Sequence, residues 1–318
     1  MKTSQGAPGA KILAFGHYQP SNVVTNDDLS ATMETNDAWI QSRVGIKERR
    51  IAPDNESEID LAVQAGGKAL AASGLAVSDI DLVIVATCTL ETQIPNAAGR
   101  VATRLGIDAP GAFDVNTACS GFCYALAVAN DAIRAGSATH VLVVGTEKLS
   151  QWIDWTDRAT AVIFADGAGA AVVGPSDTPG IGPVVWGSAG DKFDAIIIKD
   201  RDSFLHQEGQ TVFRWATTEL HPIAKEICER SGVAPADLAA FVPHQANLRI
   251  IESIARKLGA DNAVVAKDIV LAGNTSAASI PLALSRMIER GEVQAGGLAL
   301  LLGFGAGLTY AGQIIEIP

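Results

Sequence analysis

Cysteine is scarce in this chain: four residues among 318, at Cys88, Cys119, Cys123 and Cys228. So few in so long a chain exclude a disulfide-built scaffold, and the missing paired C-x-x-C spacing excludes a structural metal site of that kind. Long apolar runs are also missing; none reaches the roughly 20 residues a bilayer-spanning helix needs. The leading MKTSQGAPGA carries no apolar core of the secretory type. It is expected to form a loose tail over residues 1–10 of a cytoplasmic protein. Long basic tracts are absent as well, and the formal net charge is −11. Neither nucleic acid nor a membrane is therefore an expected partner, and an acidic protein partner would need a local basic patch.

What is present is apolar sequence, 48% of the chain, enough for a large core in one domain or two half-sized ones. Leu82-Val83-Ile84-Val85-Ala86 is a short continuous apolar run, the pattern of a strand buried on both faces under helices. Helical patterns cover Ile59 to Ser73 and Ala97 to Leu105. Further strand patterns cover Gly111 to Val115 and Val141 to Val144. Ala161 to Phe164 and Ala170 to Val173 flank Asp166-Gly167-Ala168-Gly169, which is expected to turn a hairpin. The helix–strand alternation predicts an α/β protein.

The second half echoes the first. Ser73-Gly74-Leu75-Ala76, with Asp79 beyond, matches Ser231-Gly232-Val233-Ala234, with Asp237 beyond, 158 positions later. Asp131 to Gly136 lies over Arg286 to Gly291 at an offset of 155. Gly-Ala-Gly occurs in each half, at Gly167–Gly169 and Gly305–Gly307. The order of these matches predicts a duplicated βα unit with halves at 11–175 and 176–318. At the 155 offset Cys119 falls on Asn274, which would place both at equivalent helix starts facing one cleft.

Asp114 to Tyr124, DVNTACSGFCY, puts Cys119 where a strand ends and a nearly all-apolar helix begins. Two readings are open. Helix N-termini favour anions and lower cysteine pKa values, so Cys119 is a candidate thiolate. Free cysteine is also among the most buried residue types, so an inert packed side chain fits too. Cys123, one turn on, reads as packing. Two other segments carry polar side chains at element ends. Phe241-Val242-Pro243-His244-Gln245-Ala246-Asn247 sets a histidine just past a strand, where α/β proteins place their sites. Gly273-Asn274-Thr275-Ser276 is a small-residue loop entering a helix. Taken alone, His244 suits a structural hydrogen bond and Asn274 a cap or turn. Thr35-Asn36-Asp37 offers helix-capping chemistry ahead of a helix on which Trp39 and Arg43 share a face. That pair suits either a plain surface contact or a grip on a flat phosphate-bearing heterocycle. Leu248 to Leu258 reads as a helix whose outer face carries Arg249 and Arg256, with Lys257 alongside.

In combination these segments resemble something specific. TACSGF, PHQANLRII and GNTSAASIP, in that order and spacing, resemble the β-ketoacyl-[acyl carrier protein] synthase III family of the thiolase superfamily. So do DAWIQSRVGIKERRIA, DRATAVIFADGAGA and GFGAGLTYAG, and the likeness runs from about Ile12 to the C-terminus. The resemblance implies a five-layer αβαβα duplication, consistent with the repeat. It also implies that Cys119 takes an acyl group from acyl-CoA. His244 and Asn274 would then bind the thioester carbonyl of malonyl-ACP, with His244 neutral, and stabilise the enolate left by loss of CO2. The backbone N–H groups of Cys119 and Ala306 would hold the oxyanion of the condensation, provided Ala306 has a conformation open to a Cβ.

The same resemblance implies that Trp39 and Arg158 sandwich the adenine of CoA, with Arg43 at its phosphates, and that Phe213 and Asn247 line the pantetheine tunnel. It puts acyl carrier protein on Gln245, Arg249, Arg256 and Lys257. Ile94 would shape the acyl pocket across the interface of a homodimer. No cofactor or metal is expected.

Two features depart from the family pattern. Gly187 to Gln210 is shorter than expected at the mouth of the site, and Ala306 stands where glycine is common. Among rivals, a thiolase would need a further cysteine in the C-terminal glycine loop, and none follows Cys228. A polyketide starter-unit synthase would use the same three residues. A chalcone-synthase-like enzyme matches less well around them. A non-catalytic partner subunit would usually lack the nucleophile.

Overall fold

The computed structural model describes residues 1–318. The strands of the first half are β1 Gly9–Tyr18, β2 Val23–Thr25, β3 Glu48–Arg50, β4 Leu82–Ala86, β5 Gly111–Val115, β6 Val141–Lys148 and β7 Asp166–Ser176. Those of the second are β8 Val185–Ser188, β9 Ile196–Ile197, β10 His206–Gln207, β11 Ala240–Pro243, β12 Val264–Val265, β13 Leu298–Gly305 and β14 Thr309–Glu316. The helices are α1 Asn26–Ser30, α2 Asp37–Val44, α3 Glu58–Ser73, α4 Ala97–Leu105, α5 Gly121–Ala135, α6 Gly209–Ser231, α7 Leu248–Leu258, α8 Ile269–Ala272 and α9 Ser279–Glu289.

Two five-stranded sheets repeat one topology. The first runs β1-β7-β6-β4-β5 and the second β8-β14-β13-β11-β12. In each, the two outer pairings at the first edge are antiparallel and the two at the other are parallel. The inner parallel strands β4, β11 and β13 are largely apolar runs because helices cover both faces. α3 and α4 pack outside the first sheet, α6 and α7 outside the second. α5 and α9 lie between the sheets in the largest buried cluster. These five layers make the duplicated αβαβα fold that the repeat and the resemblance implied.

The register of the repeat differs from the expected one. Ala118 and Ser276, both non-glycine residues with left-handed backbones (φ +46° and +49°), open equivalent single 3-10 turns ahead of α5 and α9. The equivalence is therefore 158, as it is for β4 and β11. Cys119 pairs with Ala277, and the counterpart of Asn274 is Asn116. The 155 offset holds only just past the helices, at the positive-φ glycines Gly136 and Gly291, because α9 has 11 residues against 15 in α5. The Gly-Ala-Gly segments are not equivalent either. Gly167 to Gly169 lies inside β7, while Gly305 to Gly307 joins β13 to β14.

No hairpin forms at Asp166 to Gly169, since β7 is one continuous strand of 11 residues. Its glycine serves close approach: a Cβ on Gly169 would sit 2.5 Å from the backbone nitrogen of Leu282 in α9. The leading segment is also tied down. The strand begins at Gly9, and Ser4 and Ala7 donate hydrogen bonds to the carbonyls of Ala135 and Ile133 at the end of α5.

Candidate active site

A cavity of about 910 Å³ opens between α2, α6 and α7 and ends at the two single turns that precede α5 and α9. Cys119, His244, Asn274 and Ala306 line its inner end, and Trp39, Arg43, Phe213, Asn247 and Arg249 line it further out. The local sequence explains each position. Cys119 sits in the 3-10 turn Ala118–Ser120 rather than in α5 itself. β13 passes directly behind it, and a Cβ on Gly305 would lie 2.6 Å from the Cβ of Cys119 and 2.9 Å from its Sγ. Only glycine allows that approach. His244 follows β11, and Asn274 follows the short α8.

The thiol departs from the expectation of a depressed pKa. Cys119 is half-buried and reached through the cavity, and its removal from bulk water pushes the thiol up to about 12. The Ser276 hydroxyl and the backbone N–H groups of Cys119 and Ala306 pull it down, and the buried Glu147 carboxyl adds to the rise. Burial wins because α5 starts one turn later, at Gly121, and desolvation penalises the charged form directly. Ala306 has no left-handed backbone, so its Cβ is accommodated and its N–H remains at the Cys119 sulfur.

His244 is 1% exposed, and burial lowers its pKa to about 3, so it is neutral at pH 7. Its Nδ1 lies 2.7 Å from Ser279 Oγ, which also accepts the N–H of Gln245 at 3.2 Å. The ring meets Phe304 edge-on at 5.2 Å. The Oδ1 of Asn274 accepts the backbone N–H of Ser276 at 2.9 Å. That bond assigns the amide NH2 to the other side of the side chain.

The remaining candidate residues lie further out. Arg43 and Arg158 both stack on the Trp39 ring, at 5.7 and 5.0 Å from its centre. A sandwiched adenine needs about 7 Å between flanking planes, two van der Waals contacts. The Trp39–Arg158 slot is therefore closed in this conformation, with Arg158 held by the Glu34 carbonyl at 2.9 Å. Asn247 caps α7 and bonds the Arg43 carbonyl at 3.0 Å, joining α7 to α2. Arg249 stacks on Phe213 at 4.9 Å. Arg256 and Lys257 are exposed, and Lys257 reaches the Thr217 carbonyl. Ile94 is 85% exposed and stands outside the cavity of its own chain.

Gln245 corrects an expectation. It is 1% exposed, donates to the carbonyls of Pro243 and Ala266 and accepts from the N–H of Ile269. A side chain so enclosed offers nothing to a docking protein. Ser276, Phe304 and Cys88 also line the cavity, with Ser279 and Glu147 behind it, and none stands out in the sequence alone. Glu147 carries only a weak local signal, a carboxylate three residues past the apolar run Val141 to Val144.

Mirrored helix starts that bring a cysteine and an amide to one cavity, with a neutral histidine from the end of β11, on a duplicated αβαβα frame, define a thiolase-like condensing enzyme. Comparison with known proteins narrows the class. Residues 113–190 match the family 3-oxoacyl-[acyl-carrier-protein] synthase III, and residues 228–317 match its C-terminal model. A Streptomyces coelicolor protein named β-ketoacyl-[acyl-carrier-protein] synthase III 4 is 56% identical, over 98% of this chain and 99% of its own length. Two solved structures are close in shape. The priming β-ketosynthase of the R1128 polyketide pathway has a TM-score of 0.96 at 42% identity, covering 100% of this chain and 98% of that one. The 3-oxoacyl-[acyl-carrier-protein] synthase III of Aquifex aeolicus has 0.92 at 40%, covering 97% and 100%. The chain belongs to the β-ketoacyl-[acyl-carrier-protein] synthase III family.

Proposed function

We propose that the protein catalyses a decarboxylative Claisen condensation of an acyl-CoA primer with malonyl-ACP, giving a β-ketoacyl-ACP, CO2 and CoA at the start of fatty acid biosynthesis. The observation that carries this reading is the convergence of Cys119, His244 and Asn274 on one cavity end, with the N–H groups of Cys119 and Ala306 at the sulfur. Cys119 attacks the thioester carbonyl of acyl-CoA, the C–S bond to CoA breaks, and CoA leaves with the cysteine's proton. The acyl group remains on sulfur. Malonyl-ACP then places its thioester oxygen between His244 Nε2–H and the Asn274 amide. Loss of CO2 leaves an electron pair on carbon and negative charge on that oxygen, which the two neutral donors stabilise. The carbanion attacks the Cys119 thioester, and the tetrahedral oxyanion rests on the N–H groups of Cys119 and Ala306. Expulsion of the cysteine sulfur as thiolate releases the product, and the thiolate takes up a proton from solvent to restore the Cys119 thiol.

Trp39, Arg43 and Arg158 hold the nucleotide end of CoA in this reading, with Arg158 swinging off Trp39 to admit the adenine. Phe213 and Asn247 line the pantetheine path. Arg249, Arg256 and Lys257 present positive charge to acidic ACP beside the cavity mouth. The protein acts in the cytoplasm as a homodimer. In support of pairing, Ile94 is a large apolar side chain standing 85% exposed in the single chain. No helix is long and apolar enough to cross a membrane, and no cluster of three or more His, Cys, Asp or Glu side chains is placed to hold a metal ion.

A second reading has its own support. The R1128 priming ketosynthase matches this chain over its whole length at a TM-score of 0.96, so a polyketide starter-unit synthase is the alternative. The test is to supply acetyl-, branched and longer acyl-CoA with malonyl groups on a fatty acid ACP and on a polyketide ACP. Higher kcat/KM on the fatty acid carrier supports the first reading, and preference for the polyketide carrier supports the second. No β-keto product from any combination contradicts both.

A further inference from the structure

Glu147 is fully buried at the end of β6, and the mechanism above does not use it. Its two carboxyl oxygens take five hydrogen bonds. The hydroxyls of Thr87 and Thr89 and the N–H of Cys88 reach Oε2 at 3.1, 2.7 and 3.1 Å. The Cys88 thiol and the Ser276 hydroxyl reach Oε1 at 3.3 and 3.0 Å. Burial raises its pKa, and these donors oppose the rise.

Ser276 is the link to the candidate site. Its backbone is left-handed (φ +49°), a conformation that L side chains rarely adopt without support. From that conformation its N–H meets Asn274 Oδ1 at 2.9 Å and leaves the amide NH2 facing away from that contact. The internal repeat supplies a comparison. Ala118 has the same backbone (φ +46°) and no side chain to anchor, and there the bond from its N–H to Asn116 Oδ1 is 3.4 Å. The half with the carboxylate anchor has the shorter bond, and it is the half that carries the donor.

We infer that Glu147 is a positioning residue: by holding the Ser276 hydroxyl it fixes the turn whose N–H aims the Asn274 amide at the substrate oxygen. The inference rests on the donor role of Asn274 in the proposed function. Its chemistry sets the order of variants. Alanine at 147 removes the anchor. Glutamine keeps the volume, and its amide N–H can bond the Ser276 oxygen, so the turn stays held.

The experiment measures malonyl-ACP decarboxylation and, separately, alkylation of Cys119 by iodoacetamide. Glu147→Ala is expected to lower kcat for decarboxylation about tenfold to a hundredfold, the scale of a misplaced oxyanion donor. KM should be retained, Cys119 alkylation should not fall, and Glu147→Gln should restore most of the decarboxylation rate. Ser276→Ala, which cuts the middle link and leaves Glu147 four other donors, should reproduce the kcat loss even where Glu147→Ala fails to fold. Wild-type decarboxylation in Ser276→Ala overturns the inference, as does a parallel loss of both activities in Glu147→Ala with no rescue by glutamine. Asn274→Ala separates the two levels: if that variant decarboxylates at the wild-type rate, the donor reading itself has failed, not the relay from Glu147.

Discussion

Ser279 Oγ stands 2.7 Å from His244 Nδ1, and its other partner is the N–H of Gln245, which can only donate. The serine proton is therefore free for Nδ1, and the ring proton belongs on Nε2, the nitrogen on the other side of the ring. The tautomer that a neutral hydrogen-bond donor requires is thus built in by the first residue of α9. Ser279→Ala should slow malonyl-ACP decarboxylation about fivefold, the worth of one neutral hydrogen bond. Cys119 acylation should be unaffected; an equal fall in both would show that Ser279 supports the fold rather than the ring.

Decarboxylation should not show an acid limb at the ordinary histidine value. Burial holds the His244 pKa near 3, below the usual 6.5, so the ring stays neutral as pH falls through 6 and gains its proton only near 3. A pH profile of malonyl-ACP decarboxylation between pH 5 and 8 should be flat within about twofold, provided the ACP remains folded. A midpoint near 6.5 would contradict the buried neutral donor.

Cys119 alkylation should depend steeply on pH. With the thiol pushed up to about 12, the thiolate fraction rises with each unit of pH across the neutral range. The rate with iodoacetamide should rise about tenfold per unit from pH 7 to 10 without a plateau. Glu147→Gln removes a neighbouring carboxylate that adds to the rise, so its curve should lie at lower pH than the wild type's. A plateau below pH 8 in the wild type would show a thiolate already formed at rest.

Charge reversal on α7 should separate two roles. Arg256 is exposed and outside the cavity, whereas Arg249 lines its mouth and stacks on Phe213. Arg256→Glu should raise KM for malonyl-ACP and leave acylation by acyl-CoA intact. Arg249→Glu should disturb both half-reactions. If Arg256→Glu slows acylation as well, α7 contributes to more than ACP docking.

Much of this architecture is legible in local pattern. The bounds of β4, α4, β5 and α7 coincide with those read from apolar runs and end signals, because continuous apolar strands and capped helices are written in adjacent residues. The positions of Cys119, His244 and Asn274 at element ends were equally local. What was not legible depended on distant packing. Gly169 looks like a turn residue until α9 is set against β7. The helix N-terminus suggested a depressed Cys119 pKa, but burial under β13 decides its direction. Gln245 lies in a motif beside the site, yet only the packing of the β11–α7 connection shows that it faces inward. The repeat was visible but misregistered, because α9 is shorter than α5 and aligning the helix ends shifts the starts.

The proposed function depends first on acylation of Cys119. Intact-protein mass spectrometry after incubation with acetyl-CoA, with peptide mapping and a panel of other short acyl-CoA esters, tests it most directly. One acyl group on Cys119 in the wild type and in His244→Ala, with none in Cys119→Ala, is the result expected. No adduct from any short acyl-CoA, or an adduct on Cys88 instead, would contradict the claim.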